Sequence, residues 1–247
     1  MRNFNTFFGV LAIITALIFT GCQKDYYRDS GRSDPNFNGS MMEYLEAKPY
    51  PFDTLVSVIK LAGMEATFKE NRFTFFAPPD ETIRRTYDYI NNRLKQSALD
   101  TLTGLESLKP EFWKGILEMY MFPEEKGLED FPQLDYFNKQ TFSGEFVTAQ
   151  SGQLMNIGAV FTSAGEVKYK GYRFLTLNFV QSPSAPLGSW ISAYVSSANI
   201  KPRNGMVHAL MYAALSAATG QYPAIVAHDF GFDKEQAWQL AVFYGFN

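Results

Sequence analysis

This chain of 247 residues contains only one Cys and two His, and it has no cluster of positively charged residues. One Cys cannot form an internal disulfide, and one Cys with two His cannot complete a tetrahedral zinc site built from these ligands. The 22 Lys and Arg are outnumbered by 25 Asp and Glu and form no cluster. A nucleic-acid partner would require a basic surface facing its phosphates. We therefore expect no metal, no other cofactor and no nucleic-acid partner.

Motifs of the common enzyme classes are also missing. The chain has no Gly-x-Ser-x-Gly elbow, no His-Glu-x-x-His motif, no phosphate-binding loop and no dinucleotide fingerprint. Two groups could still carry acid–base chemistry: adjacent His228 and Asp229, and the carboxylates within 124–130. Neighbours in a strand point to opposite faces, so we interpret the first group as a surface or loop pair and the second as a solvated acidic loop. We predict no catalytic residue, and a surface hydrolase using either group is the enzymatic alternative.

The first 21 residues have the features of a secretory signal. They carry a single charge, Arg2, followed by an apolar run from Phe7 to Thr20. The run is shorter than the roughly twenty residues that a membrane-spanning helix requires, and it suits the core of a signal peptide. It ends in Phe19-Thr20-Gly21-Cys22, which resembles the lipobox of bacterial lipoproteins. The resemblance implies cleavage after residue 21 and a covalent lipid on Cys22 that anchors the protein in a bilayer.

The residues after Cys22 bear on where the anchored protein would lie. Gln23-Lys24-Asp25 is similar to the surface-export signal of Bacteroidetes lipoproteins, which implies the cell outer membrane, with the domain facing the exterior. Residues 22–39 are rich in charge, Ser, Gly and Asn, a composition typical of a flexible tether. Ser40, with Glu43 three residues later, forms the pattern of a helix capping box. We therefore predict that the ordered domain begins at Ser40.

The next segment alternates helical and extended patterns. Apolar residues recur at spacings of three and four in 52–62, which predicts a helix that Gly63 ends. The aromatic segment 72–77 predicts a strand, and Pro78 and Pro79 stop it. Further short strands are predicted in 142–180, including 167–169 and 172–180, and a stretch rich in Ser, Pro and Gly then leads to 190–200. The tail, 218–247, is predicted to be helical and docked on the domain.

Two short motifs in this body resemble those of the fasciclin domain family. The first is similar to the family's Thr-Val-Phe-Ala-Pro-Thr-Asp strand and turn, and the second to its Asn-Gly-x-Ile-His-Val run. They stand here as Thr74, Phe75, Phe76, Ala77, Pro78, Pro79 and Asp80, and as Asn204, Gly205, Met206, Val207, His208 and Ala209. Their order and their separation of about 130 residues also fit the family.

The resemblance implies one α+β domain over 40–217, a twisted β-sandwich or wedge flanked by N-terminal helices. The motif residues, His208 included, are implied to belong to the scaffold, with His208 hydrogen-bonded to the main chain. Some positions depart from the family: Met121 follows Tyr120 where many members have His, and Asn199-Ile200 replaces Asp-Ile. These positions are linked to integrin recognition in animal members, so we do not extend that activity to this chain.

Two functions are compatible with this pattern. The first is a non-enzymatic, lipid-anchored module for adhesion or for binding an extracellular partner. The alternative is an accessory lipoprotein of an outer-membrane complex for nutrient uptake, contacting the transporter or a glycan. In either case the partner is expected to be another surface protein or a glycan. Aromatic residues in polar surroundings are candidates for exposed binding positions: Tyr26, Tyr27, Tyr136, Phe137 and Tyr222.

Overall fold

The computed structural model describes residues 35–212 and 228–247. The helices are α1 (Met41–Glu46), α2 (Pro49–Leu61), α3 (Glu65–Glu70), α4 (Asp80–Gln96), α5 (Pro110–Leu117) and α6 (Lys234–Tyr244). The strands are β1 (Phe73–Ala77), β2 (Met121–Phe122), β3 (Gln133–Leu134), β4 (Glu145–Thr148), β5 (Leu154–Phe161), β6 (Arg173–Val180), β7 (Trp190–Ile200) and β8 (Gly205–Leu210). Among these residues, no helix combines the length and apolar character needed to cross a bilayer. The predicted signal peptide, Cys22, Tyr26, Tyr27 and Tyr222 lie outside the described residues.

The N-terminal helices form as their sequence patterns predict. The hydroxyl of Ser40 accepts the Glu43 N–H at 3.2 Å, and the Glu43 carboxylate accepts the Ser40 N–H at 2.6 Å, so the capping box is confirmed. The apolar face of α2 is buried, and Gly63 follows the helix with a φ of +67°, a value that favours glycine.

The predicted tether of 22–39 is wrong at its C-terminal end. The carbonyl of Pro35 accepts the Lys201 N–H at 2.7 Å, and the Phe37 N–H donates to the Lys201 carbonyl at 2.9 Å. These bonds fix 35–39 to the domain, so the ordered part begins before the capping box. The sequence did not predict this because the segment's partner is the turn between β7 and β8.

The strands form one curled sheet in the order β2-β1-β8-β7-β6-β5-β3, with β4 pairing with β5. This confirms the α+β class and gives the sheet the form of a half-barrel flanked by helices. The two motif strands are adjacent: β1 runs parallel to β8, and Phe76 stands opposite His208. β1 is buried throughout because β8 and β2 cover its edges and helices pack on it. Edge-on contacts of Phe68 with Phe73 and Phe75, at 5.3 and 4.9 Å, are part of that packing.

The curl brings the two ends of the sheet close together. The N–H of Gln150, just after β4, donates to the carbonyl of Met121 in β2 at 3.0 Å. We call the gap between β2 with residues 123–127, on one side, and β4, on the other, the seam. It is the place where the half-barrel does not close into a barrel.

The predictions for the later strands are mostly confirmed. A strand occupies 173–180 as expected, and the structure adds a strand at 190–200 that the sequence did not predict. The strand predicted at 167–169 is wrong, because Ala164 and Val167 exchange main-chain hydrogen bonds around a tight turn at Gly165, where φ is +59°. The alternating apolar pattern there belongs to a hairpin tip too short to pair further.

The C-terminal helix α6 packs against α4 and α5. Its N-cap Asp233 accepts the Glu235 N–H at 2.8 Å, and Glu235 forms an ion pair with Arg93 of α4 at 3.0 Å. The Arg93 guanidinium lies 5.2 Å from the ring centre of Trp238. The tail's pattern at 233–240 thus coincides with a helix held by α4, while the helical pattern at 213–218 lies outside the described residues.

Candidate binding site at the seam of the curled sheet

Thr74, in the first motif, holds the chain that follows β2. Its side chain is fully buried, and its hydroxyl donates to the Glu124 carbonyl at 2.7 Å and accepts the Lys126 N–H at 2.9 Å. A hydroxyl can do both at once. The residue therefore fixes the loop at the two ends of a single turn.

His208, in the second motif, holds the same loop from the neighbouring strand. Its Nδ1 accepts the Asn199 N–H at 3.3 Å, which places the ring proton on Nε2, and Nε2 donates to the Lys126 carbonyl at 2.9 Å. Burial lowers the pKa of His208 to about 4. The imidazole is therefore neutral near pH 7, and both of its nitrogens are engaged with the main chain.

Together the two motif residues hold both main-chain groups of Lys126 and aim its side chain across the seam. Its Nζ lies 2.8 Å from a carboxylate oxygen of Glu124 and 2.8 Å from one of Glu145 in β4. Hydrogen bonds to these two carboxylates raise the pKa of Lys126. The ammonium is therefore charged and links the two sides of the seam.

A pocket of about 170 Å³ opens beside this ion pair, within the seam. Apolar side chains form most of its wall, and the charged groups stand at its rim. The lining residues are Thr74, Phe122, Pro123, Glu124, Lys126, Phe131, Glu145, Val147, Thr148 and Ile157. Such a site suits a small apolar group carried by a polar chain.

The surface around the pocket is acidic. Glu125 pairs with Arg72, Glu129 accepts from the Asn199 side chain at 3.1 Å, and Asp130 accepts the Gly127 N–H at 2.8 Å. Of the charged residues, Glu124, Glu145 and Lys126 line the pocket itself, and Glu125, Glu129 and Asp130 belong to the same loop as Glu124. Four of these acids form the predicted solvated loop, and they are exposed as expected. Lys126 and Glu145 were not singled out from the sequence, since only the curl of the sheet brings them together.

The other motif residues lie away from the seam. The Asn204 side chain accepts the Met41 N–H at 2.7 Å and donates to the carbonyls of Phe68 and Asn71 at 3.0 and 2.9 Å, which ties α1 and α3 to the turn before β8. Gly205 has a φ of +145°, and a Cβ there would lie 2.2 Å from the Phe73 carbonyl oxygen. The remaining apolar members, Phe75, Ala77 and Pro78, are buried.

Asp80, the last residue of the first motif, links two helices. Its carboxylate accepts the Leu55 N–H at 2.9 Å, at the start of the regular part of α2, although Asp80 itself begins α4. Burial and a hydrogen bond with the carboxyl group of Asp53 raise the pKa of Asp80 to about 7. The two carboxyl groups are adjacent, so at neutral pH they compete for one proton.

His228 and Asp229, predicted to form a surface or loop pair, lie in the segment before α6, outside any helix or strand, but the histidine is not at the surface. His228 is only 3% exposed, and its ring stacks on Phe232 with centroids 5.7 Å apart. Burial, aided by the nearby Arg85 charge, lowers its pKa to about 4. The Asp229 carboxylate accepts from Arg85 Nε at 2.9 Å. Among the described residues, the hydrogen-bonding partner of the Asp229 carboxylate is thus Arg85, and His228 packs on an aromatic ring.

Of the aromatic residues predicted to be exposed, two lie in the described part of the chain, and the prediction holds for one of them. Phe137 is 68% exposed as predicted, but the prediction for Tyr136 is wrong, because its hydroxyl donates to the buried Asn178 side chain at 2.7 Å. Tyr136 also packs edge-on against Trp190, and the Lys139 ammonium lies 3.8 Å from the Trp190 ring centre. One face of the largest ring in this cluster is therefore covered by the protein. Within the described residues, no group of three His, Cys, Asp or Glu is placed to hold a metal ion.

Comparison with known proteins identifies the architecture. The sequence model of the fasciclin domain matches residues 50–213, which include the first motif and the second. No curated protein matches the chain. Among solved structures it is similar to a FAS1 domain pair from the insect cell adhesion molecule fasciclin I, with 16% identity and a TM-score of 0.43 over 72% of this chain and 51% of that one. This chain thus spans about half of that structure, and the family assignment rests on the domain match.

Fasciclin domains are modules of the cell-adhesion type and are generally not enzymes. The matched segment covers well over half of the chain and extends from α2 to the residues after β8. It also contains Thr74 and His208, the two residues that hold the loop at the seam. The chain therefore belongs to the fasciclin domain family.

Proposed function

We propose that this protein is a non-enzymatic adhesion or binding module, held at the outer membrane by a lipid on Cys22 and facing the cell exterior. The observation that carries the proposal is the use of both motif side chains. Thr74 bonds to the main chain of Glu124 and Lys126, and His208 bonds to the main chain of Lys126 and Asn199. They build a firm rim for a pocket and leave no reactive nitrogen or oxygen of their own. An arrangement of this kind suits recognition.

The anchor is supported by the sequence and by the energetics of lipidation. Each buried methylene group contributes about 0.8 kcal/mol, so several acyl chains on one Cys hold a protein stably where a single chain does not. The domain is fixed from Pro35 onwards. A polar linker from Cys22 to that point would reach about 20 Å, at roughly 5–6 Å times the square root of its length. The partner is therefore expected near the membrane surface.

Lipidation is tested by substituting Cys22→Ser in the full chain. The natural protein should incorporate labelled palmitate in its host and sediment with outer membranes, whereas the variant should lose the label and leave the membrane fraction. Protease treatment of intact cells should then degrade the natural protein if the domain faces outward. Retention of the Cys22→Ser variant in the membrane would contradict the lipid anchor, and full protection in intact cells would contradict the outward orientation.

The partner is tested by affinity purification of the tagged protein from its own outer membrane in mild detergent, followed by mass spectrometry. A surface protein recovered in stoichiometric amount, and lost when Glu124 and Glu145 are both changed to Gln, would support a binding module that uses the seam. Gln keeps the size of each side chain and removes the charge. Recovery together with a transporter and a glycan-binding protein, unaffected by these changes, would favour the accessory role in uptake.

A further inference from the structure

Among the described residues, strand β4 pairs with β5 alone, and its other edge faces the seam. The Ala149 N–H donates towards β5, to the Gln153 carbonyl at 3.0 Å, whereas the Gln150 N–H donates across the seam to Met121. Main-chain groups alternate sides along a strand, so those of Phe146 and Thr148 point away from β5. In the part of the chain that the structure describes, no hydrogen bond occupies these two N–H and two C=O groups. Phe146 is half-buried and Thr148 is exposed.

The opposite side of the seam cannot pair with that edge. The outward carbonyl of Met121 already accepts from Gln150, and Phe122 stands opposite Thr74 of β1. The next residue is Pro123, which has no N–H to donate. Since β2 ends there, β4 keeps an edge available for another strand.

The pocket lies directly beside this free edge. Val147 and Thr148 of β4 contribute to its wall, and Phe122 and Pro123 form the wall opposite. A strand added to β4 would lie about 4.8 Å from it, between these walls. Alternate side chains of an added strand point to the same face, so one of them would enter the pocket, where the wall is mostly apolar.

The rim indicates the charge of the added segment. Two carboxylates and one cation, Glu124, Glu145 and Lys126, line the pocket and leave a net charge of −1, and the loop that contributes Glu124 carries three further acids. Glu124 and Glu145 share the single ammonium of Lys126. Basic side chains on either side of the apolar residue would complete the neutralisation of these acids, and acidic ones would be repelled.

We propose that the free edge of β4 binds an extended segment of a partner protein by strand addition, with an apolar side chain in the seam pocket and basic residues against the acidic rim. Main-chain hydrogen bonds would supply affinity, and the pocket and rim would supply specificity. The inference rests on the proposed binding function and specifies the chemistry of the partner.

The first test uses the acetylated and amidated peptide Lys-Thr-Leu-Thr-Lys, whose Leu and two Lys share one face when extended. It is titrated into the detergent-solubilised full chain while amide exchange is followed by NMR. We expect exchange at the Phe146 and Thr148 amides to slow at least about tenfold at saturation, with no change at Val147, which already bonds to β5. Strand addition would be overturned if amide exchange at Phe146 and Thr148 did not change with peptide, or if both amides were already protected in its absence.

Two control peptides separate the parts of the proposal. N-methylation of alternate residues removes donors from one edge of the peptide at a time, so one methylated form should lose binding and the other should retain it. Equal binding by both forms would contradict strand addition. Glu-Thr-Leu-Thr-Glu should not bind measurably, and binding as tight as that of the Lys peptide would contradict the role of the acidic rim.

The matched protein variants are Thr148→Pro and Thr148→Val. Pro removes the free N–H without breaking a bond of β4 to β5, a position where strands tolerate it, and Val keeps the N–H. Both variants alter the same pocket-lining side chain, so the comparison between them isolates the N–H, and we expect the Pro variant to bind the peptide roughly tenfold more weakly than the Val variant. A Thr148→Pro protein that stays folded and recovers the natural partner as well as the natural protein does would overturn strand addition while leaving the binding function intact. Failure of the natural protein to recover any partner would instead count against the proposed function.

Discussion

Asn204 is expected to make one of the largest single contributions of a polar side chain to the stability of this domain. It is 7% exposed, and its amide forms three hydrogen bonds, with the Met41 N–H and with the carbonyls of Phe68 and Asn71. Substitution by Ala leaves one donor and two acceptors without a partner, two of these bonds being buried. These groups connect α1, α3 and the turn before β8, so no nearby side chain replaces the amide.

The magnitude follows from the number of bonds. Each ordinary hydrogen bond contributes about 1 kcal/mol, and a buried group left unpaired costs about 1–3 kcal/mol, so we expect Asn204→Ala to reduce the free energy of unfolding by about 3 kcal/mol. In a domain of this size, roughly 2–4 °C of Tm is lost for each kcal/mol, which gives a decrease of about 6–12 °C.

The assay is urea denaturation of the full chain, followed by far-UV circular dichroism. The matched control is Asn91→Ala, because Asn91 makes a single half-buried bond, with the Leu102 N–H at 2.8 Å. The control should lose about 1 kcal/mol. If Asn204→Ala loses no more than the control, the three hydrogen bonds do not stabilise the domain as we argue.

Three further predictions concern the motif residues. Thr74→Val should destabilise the domain by about 1–2 kcal/mol, because two partly buried hydrogen bonds, with the Lys126 N–H and the Glu124 carbonyl, are lost. It should also weaken peptide binding at the seam, and binding at natural strength in calorimetry would refute the link between motif and loop. The pKa of Asp80 is raised to about 7 in the folded state. The free energy of unfolding that Asp80 contributes is therefore fully present below its unfolded pKa, near 3.8, and is lost as pH rises through 7. Denaturation at pH 5 and pH 8 should show the natural protein gaining stability over Asp80→Asn at the lower pH, and a pH-independent difference would contradict this. The pKa of His208 is lowered to about 4 in the folded state. The free energy of unfolding that His208 contributes is therefore fully present above its unfolded pKa, near 6.5, and is lost as pH falls through 4. Between these two pH values the natural protein should lose stability relative to His208→Gln, and a constant difference would show that the histidine is not held neutral.

The sequence predicted the parts of the fold that depend on local patterns. Ser40 and Glu43 form a capping box because both partners lie within one turn. The two motifs marked strands that prove to be neighbours, but their parallel register, with Phe76 opposite His208, is a tertiary property. The order of the motifs indicated the family, whereas the pairing of the strands became visible only in the structure.

The parts that were missed depend on contacts between distant segments. Lys126 forms an ion pair with Glu145 because the sheet curls, and no sequence pattern near either residue predicts this contact. Tyr136 has polar neighbours in sequence, yet its hydroxyl reaches Asn178 on β6. His228 was assigned with Asp229 to a surface or loop pair, but Phe232 covers its ring and the side chain is buried. In each case tertiary packing overrode the local signal.

The parallel pairing of β1 with β8 also constrains the order in which the domain can assemble. The two strands are about 130 residues apart, and all six other strands lie between them in the chain. Contacts of such long range are slow to form because a large loop must close first. Until 205–210 is present, Phe73, Phe75 and Phe76 lack the neighbouring strand that covers one edge of β1. A chain that ends before β8 would therefore expose an aromatic edge strand, and we expect it to aggregate or be degraded instead of forming a smaller stable domain.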